Sequence, residues 1–169
     1  MVYPIRGVWL SGHPRPEPAL ADPDAILASN SSSYPARQFT DRAVLDLLLR
    51  VLPGYGIHPF EARRESTGFI FNRIWAAIKR EALAVVAEGV STPQEVDRMW
   101  QINSGSQAGP FRMMDKVGLD VVLDIEDHYA AERPELPAGP RELLHRYVDA
   151  GHLGVKSGRG FSDDYGTGG

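Results

Sequence analysis

A mainly α-helical fold is the prediction for this 169-residue sequence, with a short stretch of mixed α/β character ahead of the helices. Three observations carry it. Apolar residues recur at helical spacing through most of the second half. Helix-start and glycine-stop signals alternate along that half. The first 23 residues, by contrast, hold five of the 13 prolines, which excludes a long helix there. Composition points to one globular domain, with 43% hydrophobic and 24% charged residues. Eighteen basic against 22 acidic side chains give a net charge of −4. With no basic block, nucleic acid is not an expected partner. No apolar run approaches the roughly 18 residues of a membrane helix, so no membrane span is expected. The lack of cysteine excludes disulfides, thiolate chemistry and cysteine-held metals. No signal peptide is legible near Met1, and a cytoplasmic location is the expectation.

The elements follow in order. His13 to Pro18 reads as an extended arm, because each proline restricts its predecessor. Asp24 to Ser29 reads as a short buried strand, and Asn30 to Ser33 as the polar loop after it. Thr40 or Asp41 caps a helix to about Leu52, with Val44, Leu45, Leu48 and Leu49 as its apolar stripe, and Pro53-Gly54 stops it. Ile57 to Ala62 is a second candidate strand. Gly68 to Glu88 predicts a long helix, apolar around most of its girth, which marks a bundle core or a subunit interface. Gly89 ends it. Thr92-Pro93-Gln94-Glu95 is a capping box with proline at the first helical position, opening a helix to about Ile102. Phe111 to Val117 and Leu119 to Ala131 predict two helices broken at Gly118. Arg141 to Ala150 predicts the last helix, after a linker from Pro134 to Pro140. Gly151 to Gly160 reads as tight turns, and the residues from 162 on should fray.

Common chemical signatures are missing. The sequence has neither a glycine-rich strand-to-helix turn nor a Walker loop. Its five histidines, His13, His58, His128, His145 and His152, include no i, i+4 pair suited to a metal, and no metal site is expected. Ser32 has no nucleophile-elbow frame around it. Gly154-Val-Lys-Ser-Gly-Arg-Gly follows a helix end rather than a strand, which favours a structural turn over a phosphate cradle.

A series of motifs carries more. Thr67-Gly-Phe-Ile-Phe-Asn-Arg-Ile74 is followed by Glu81-Ala-Leu83, Glu88-Gly-Val90 and Thr92-Pro-Gln-Glu-Val-Asp97. Gly109-Pro-Phe111, Asp115-Lys-Val-Gly-Leu-Asp120 and Gly154-Val-Lys-Ser-Gly-Arg-Gly-Phe161 complete the series. In order and spacing these resemble the C-terminal domain of the 3-hydroxyacyl-CoA dehydrogenase family, and the wording around Glu65 to Glu81 is most like its fungal members. Ile26-Leu-Ala-Ser-Asn-Ser-Ser-Ser33 resembles the late strand and loop of that family's nucleotide-binding domain. The resemblance implies a helical bundle of the 6-phosphogluconate dehydrogenase C-terminal-like type over 64–161. It implies a short α/β remnant of a Rossmann domain over 1–63, and leaves 162–169 as a frayed tail.

The resemblance also implies site residues. Ser32 falls on the loop serine that meets the substrate hydroxyl beside the NAD nicotinamide, and Asn72 on the asparagine at the domain junction. Lys156 falls on the closing-loop lysine that reaches the cofactor. Each has a plainer alternative: Ser32 capping a turn, Asn72 bracing a helix start, Lys156 as a solvated loop charge. Two family features have no match, the histidine base with its orienting glutamate and the glycine-rich βαβ half. His58, before Pro59-Phe60, is a candidate replacement base, although it sits close to the asparagine helix, where the family has the last strand before the junction. A positioned histidine supplies about 10²–10⁴-fold in rate. The expectation is therefore an NAD-linked oxidoreductase-like protein acting on a 3-hydroxyacyl thioester or related hydroxy acid, weak or inactive alone. The alternative is a non-catalytic helical module for dimerisation or acyl-ligand binding in a specialised, secondary-metabolite pathway. A homodimer or association with a full-length relative is expected, with an acyl-CoA-like small molecule as ligand.

Overall fold

The computed structural model describes residues 42–64 and 66–165. The predicted strand at Asp24 to Ser29, the loop carrying Ser32, the proline-rich arm and the last four residues lie outside the described residues. The chain divides into two compact units, one up to Arg73 and the other from Ile74 onward.

In the first unit, α1 spans Arg42–Val51 and continues as a 3₁₀ turn over Leu52–Tyr55. Proline at the second position of that turn did not stop the chain, because a 3₁₀ start tolerates a residue without an N–H. The stop comes at Gly56, in the left-handed region at φ 75°. Val44 is buried, and Leu45, Leu48 and Leu49 are half-buried, as the stripe predicts. Arg42 ties α1 to the following loop, donating to Asp46 at 2.7 Å and to Glu61 at 2.6 Å. The second candidate strand, Ile57 to Ala62, is not a strand. No sheet exists among the described residues to pair with it, and Phe60 points into solvent.

Helix α2 spans Phe71–Ala87 and runs from the first unit into the second. It starts three residues later than Gly68 because Gly68 and Phe69 take positive φ values of 75° and 50°. The turn is closed by the Phe69 amide donating to the Ser66 carbonyl at 2.9 Å. At the other end Gly89 also takes positive φ, and its amide and that of Val90 bind the carbonyls of Val86 and Val85.

In the second unit, α3 spans Pro93–Ser104, α4 Pro110–Val117, α5 Leu119–Glu132 and α6 Gly139–Asp149. A 3₁₀ turn over Val155–Ser157 lies in the closing loop. Thr92 caps α3 as expected, accepting from the Glu95 amide at 3.3 Å. Gly118, at φ 104°, breaks α4 from α5. The core gathers Leu83 of α2, Val96 of α3, Phe111 and Met114 of α4, Leu119, Val122 and Leu123 of α5, Leu143 and Leu144 of α6, and Phe161. Phe161 meets Phe111 edge-on at 4.7 Å and Tyr147 at 4.4 Å between ring centroids. The closing motif is thus a core plug.

Two carboxylates stitch this unit together. Asp97 of α3 accepts from the Phe111 and Arg112 amides at 2.8 Å each, capping α4 in place of a side chain at Gly109. A Cβ on Gly109 would lie 2.3 Å from Asp97, so only glycine permits this approach. Burial raises the Asp97 carboxyl above its ordinary value, partly offset by those two amides. Asp115, almost fully buried, accepts from the Phe161 amide at 2.9 Å, the Ser162 amide at 3.0 Å and the Tyr165 hydroxyl at 2.9 Å. Asp164 binds Arg112 with both oxygens, so the chain is held through Tyr165 rather than loose from 162. Burial raises the Tyr165 hydroxyl, with Asp115 adding to it and Arg112 opposing.

Candidate functional site

Helix α2 buries two cations alongside its apolar core residues. Its inward row in the second unit is Ala76, Lys79, Arg80 and Leu83, all buried. Its opposite row, one helical face by the i, i+3, i+4 rule, is Ile74, Ala77, Ile78 and Glu81. Ile74 is 57% exposed, while Lys79 is 4% and Arg80 5% exposed. Two cations sit inside beside Ala76 and Leu83, while Ile74 is exposed and Ile78 half-buried. Sequence periodicity revealed the apolar girth but not this orientation.

Glu126 of α5, which is 1% exposed, meets Arg80 inside. Arg80 Nε donates to Glu126 Oε2 at 2.9 Å. Arg80 Nη2 and Glu126 Oε1, the other prongs of the same two forks, are buried without partners. The Arg80 guanidinium lies 5.4 Å from the Tyr129 ring centroid, in the range of a cation–π contact. Lys79 has no carboxylate of its own. Burial depresses its ammonium pKa and Arg80 adds to the effect, while Glu126 opposes both.

The outward row of α2 borders an apolar groove of about 370 Å³. Its walls are Ala77, Ile78 and Val85 of α2, Val96 and Trp100 of α3, and Pro110 of α4, with Glu81 the one charged lining residue. On α3, Met99 next to the groove-lining Trp100 is 59% exposed. Such a surface fits an apolar partner or an aliphatic ligand.

Of the residues the sequence singled out, Ser32 lies outside the described residues. Asn72 is the second residue of α2, half-buried, in the first unit. Lys156 is in the second unit, so the two do not share a unit. His58 is exposed in the loop after α1, and the neighbouring Glu61 is engaged by Arg42. Lys156 Nζ donates to Asp120 Oδ1 at 2.6 Å and also to Asp120 Oδ2, near the start of α5. That bond holds the Asp120 carboxyl below its ordinary value. The lysine stem crosses Gly118, where a Cβ would lie 3.2 Å from Lys156 Cε. Sequence reasoning missed Asp120 as the partner of Lys156. The pattern Gly118-Leu119-Asp120 was visible, but nothing in it specified a contact 36 positions away.

NAD needs backbone amides at a glycine-rich strand-to-helix turn for its pyrophosphate. Among the described residues there is no strand, and the lysine expected at the cofactor is neutralised by Asp120. The described residues alone do not fit the cofactor. Also among the described residues, no group of three acidic or histidine side chains could hold a metal, and no helix is long and apolar enough to cross a membrane.

Comparison with known proteins gives a consistent result. The family model for the 3-hydroxyacyl-CoA dehydrogenase C-terminal domain matches residues 68–164, more than half of the chain. A 3-hydroxyacyl-CoA dehydrogenase-like protein, LAM1, of Cochliobolus heterostrophus is 45% identical over 121 residues, covering 69% of this chain and 25% of the relative. A 3-hydroxybutyryl-CoA dehydrogenase of Mycobacterium tuberculosis is 32% identical over 174 residues, covering 84% of this chain and 61% of the relative. Among solved structures, FadB2 of M. tuberculosis superposes with a TM-score of 0.74 at 29% identity, covering 84% of this chain and 61% of that one. The (S)-3-hydroxybutyryl-CoA dehydrogenase PaaH1 of Ralstonia eutropha gives 0.64 at 28% identity, covering 73% and 44%. The chain thus spans between a quarter and about three-fifths of the length of these relatives.

Proposed function

The chain belongs to the 3-hydroxyacyl-CoA dehydrogenase family, and from that membership we propose that it serves the NAD-linked oxidation of a 3-hydroxyacyl thioester or a related hydroxy acid. Its part is that of a pairing and acyl-binding body, with little or no turnover of its own. In this reading Ser32 and Asn72 meet the substrate. Lys156 reaches the cofactor only by leaving Asp120.

One observation carries the proposal: the outward apolar row of α2 and the groove it shares with α3. The occupant is a second copy of the chain. The groove lies between α2 and α3, and the same two helices carry the exposed apolar residues Ile74 and Met99. A twofold axis sets the same surface of both copies face to face, so an apolar face can cover itself in an isologous interface. The face carries a single lining charge, Glu81, so little desolvation opposes the contact. A second reading, a purely non-catalytic module, is favoured by the Asp120–Lys156 pair, which leaves no unpaired cation at the closing loop's lysine.

Sedimentation velocity of the purified chain at micromolar concentration, alongside NADH fluorescence and acetoacetyl-CoA reduction, tests the proposal. A dimer with at most slow turnover is expected. A monodisperse monomer overturns the pairing role. Turnover at ordinary enzyme rates overturns the claim of little intrinsic activity. Complete absence of NADH binding to millimolar levels favours the non-catalytic module.

A further inference from the structure

We propose that Ser66 is a phosphorylation site for a serine kinase that reads basic residues, and that Arg73 receives the phosphate. The site is independent of the functional reading above.

Arg63 and Arg64 stand three and two positions before Ser66, and Arg73 stands seven positions after it. Between Ala62 and Arg73 the only carboxylate is that of Glu65, against these three guanidinium groups, in a chain whose net charge is −4. Glu61, the next carboxylate toward the N-terminus, is taken by Arg42 at 2.6 Å. Among the described residues, Arg63, Arg64 and Arg73 pair with no carboxylate. The segment is thus a local concentration of uncompensated positive charge around one hydroxyl.

The receiver is already aimed. Arg73 Nη1 donates to Ser66 Oγ at 3.0 Å, and Arg73 is exposed. A guanidinium offers more donors than this one bond uses, and its fork matches two oxygens of a phosphate. The hydroxyl is not needed for the local fold. The turn into α2 is closed by the Ser66 carbonyl, which accepts from the Phe69 amide at 2.9 Å. As a donor, Ser66 Oγ reaches the Thr67 carbonyl only at 3.5 Å, which is long for such a bond. Esterifying the oxygen therefore costs the turn little.

The approach suits a kinase. From Ile57 to Arg64 the chain is in neither helix nor strand, and Arg63 and Arg64 are exposed. Carboxylates in a kinase cleft can hold both arginines by charge complementarity. Ser66 is half-buried, and the segment before it can lift it into the cleft with no helix or strand to unravel. The γ-phosphoryl group of ATP passes to Ser66 Oγ. The new Oγ–P bond forms as the bond from that phosphorus to the β,γ-bridging oxygen breaks, ADP leaves, and the hydroxyl proton goes to the kinase's carboxylate base. The phosphate then pairs with Arg73 and ties the turn at 66–69 to the helix it opens.

The test incubates the purified chain with ATP, Mg²⁺ and the catalytic subunit of a cyclic-AMP-dependent protein kinase, a basophilic enzyme used as the probe. Peptide mapping places the phosphate, and phosphorus NMR follows its titration. One phosphoryl group on Ser66 is expected. Arg63→Ala/Arg64→Ala should slow its incorporation about tenfold or more. A free phosphoserine loses its second proton at about pH 6. Beside Arg73 that pKa should fall by about 0.5 unit or more, and it should return in Arg73→Gln. All three arginines are exposed, so the variants should keep the parent's circular dichroism.

A folded chain that takes no phosphate at Ser66, or takes it at Thr67 instead, overturns the site, whether or not a free peptide of residues 57–70 is a substrate. Undiminished incorporation without Arg63 and Arg64 overturns the mode of recognition. The same phosphate pKa in the parent and in Arg73→Gln overturns Arg73 as the receiver.

Discussion

Replacing Asp115 by alanine should release the end of the chain before the rest of the helical unit unfolds. Its carboxylate accepts three hydrogen bonds, from the amides of Phe161 and Ser162 and from the Tyr165 hydroxyl. The Phe161 amide is in the core and has no water to turn to, whereas Ser162 and Tyr165 are half-buried. A charged hydrogen bond contributes about 1.5–3 kcal/mol, and a neutral or partly hydrated one about 1. The sum for Asp115→Ala is about 3–5 kcal/mol. A unit of about 100 residues loses about 4–8 °C in Tm per kcal/mol, so a fall of roughly 12 °C or more is expected. Asp115→Asn keeps one acceptor oxygen but sets an amide donor against a backbone donor, and should cost about 1–3 kcal/mol. Guanidinium unfolding measures the total, and hydrogen exchange at Phe161 locates it. A loss under about 1 kcal/mol, or a Phe161 amide as protected as in the parent, would refute the reasoning. Gly160→Ala attacks the same junction from the other side, because its Cβ would lie 2.1 Å from Asp115 Oδ1.

Three further outcomes follow. Lys79→Met should stabilise the chain by about 1 kcal/mol, since it removes a buried, carboxylate-poor ammonium while keeping the stem. In the parent the folded chain gives up the Lys79 proton before the unfolded chain does, so stability should rise with pH in the window just below 10.5; urea titrations across that window should show the rise flattened in Lys79→Met. Thr92→Ala removes the cap accepted at 3.3 Å and should lower stability by about 1 kcal/mol, with exchange accelerated at the Glu95 amide. Asp120→Asn should cost less than about 1 kcal/mol, because the Lys156 pair is solvent-exposed, and the difference should vanish in high salt. The Asp120 contribution is present above the unfolded carboxylate value of 3.8 and is lost as pH falls through its lower folded value.

The helices of the second unit were legible because their signals are local. The Thr92 cap, the break at Gly118 and the stop at Gly89 each depend on a few neighbouring residues, and each is where the sequence placed it. The start of α2 was misplaced by three residues because Phe69 adopts a positive φ that its residue type does not announce. Ile57 to Ala62 was a candidate strand and is not one. A strand also needs an edge to pair with, and no local pattern supplies one.

Sequence by itself determined the family, the order of the helices and the proteins this chain is related to, because motif spacing survives without knowledge of contacts. Tertiary structure decided which face each helix shows. Periodicity says that α2 has apolar residues on most sides but not which side meets α5; that side carries Arg80, paired with Glu126 46 positions away. Likewise Lys156 could be placed in a loop from sequence, yet its engagement by Asp120 depends on the closing loop folding back across Gly118. Ion pairs between distant segments form only after the chain brings their ends together, and in the core their strength depends on the burial that the fold creates.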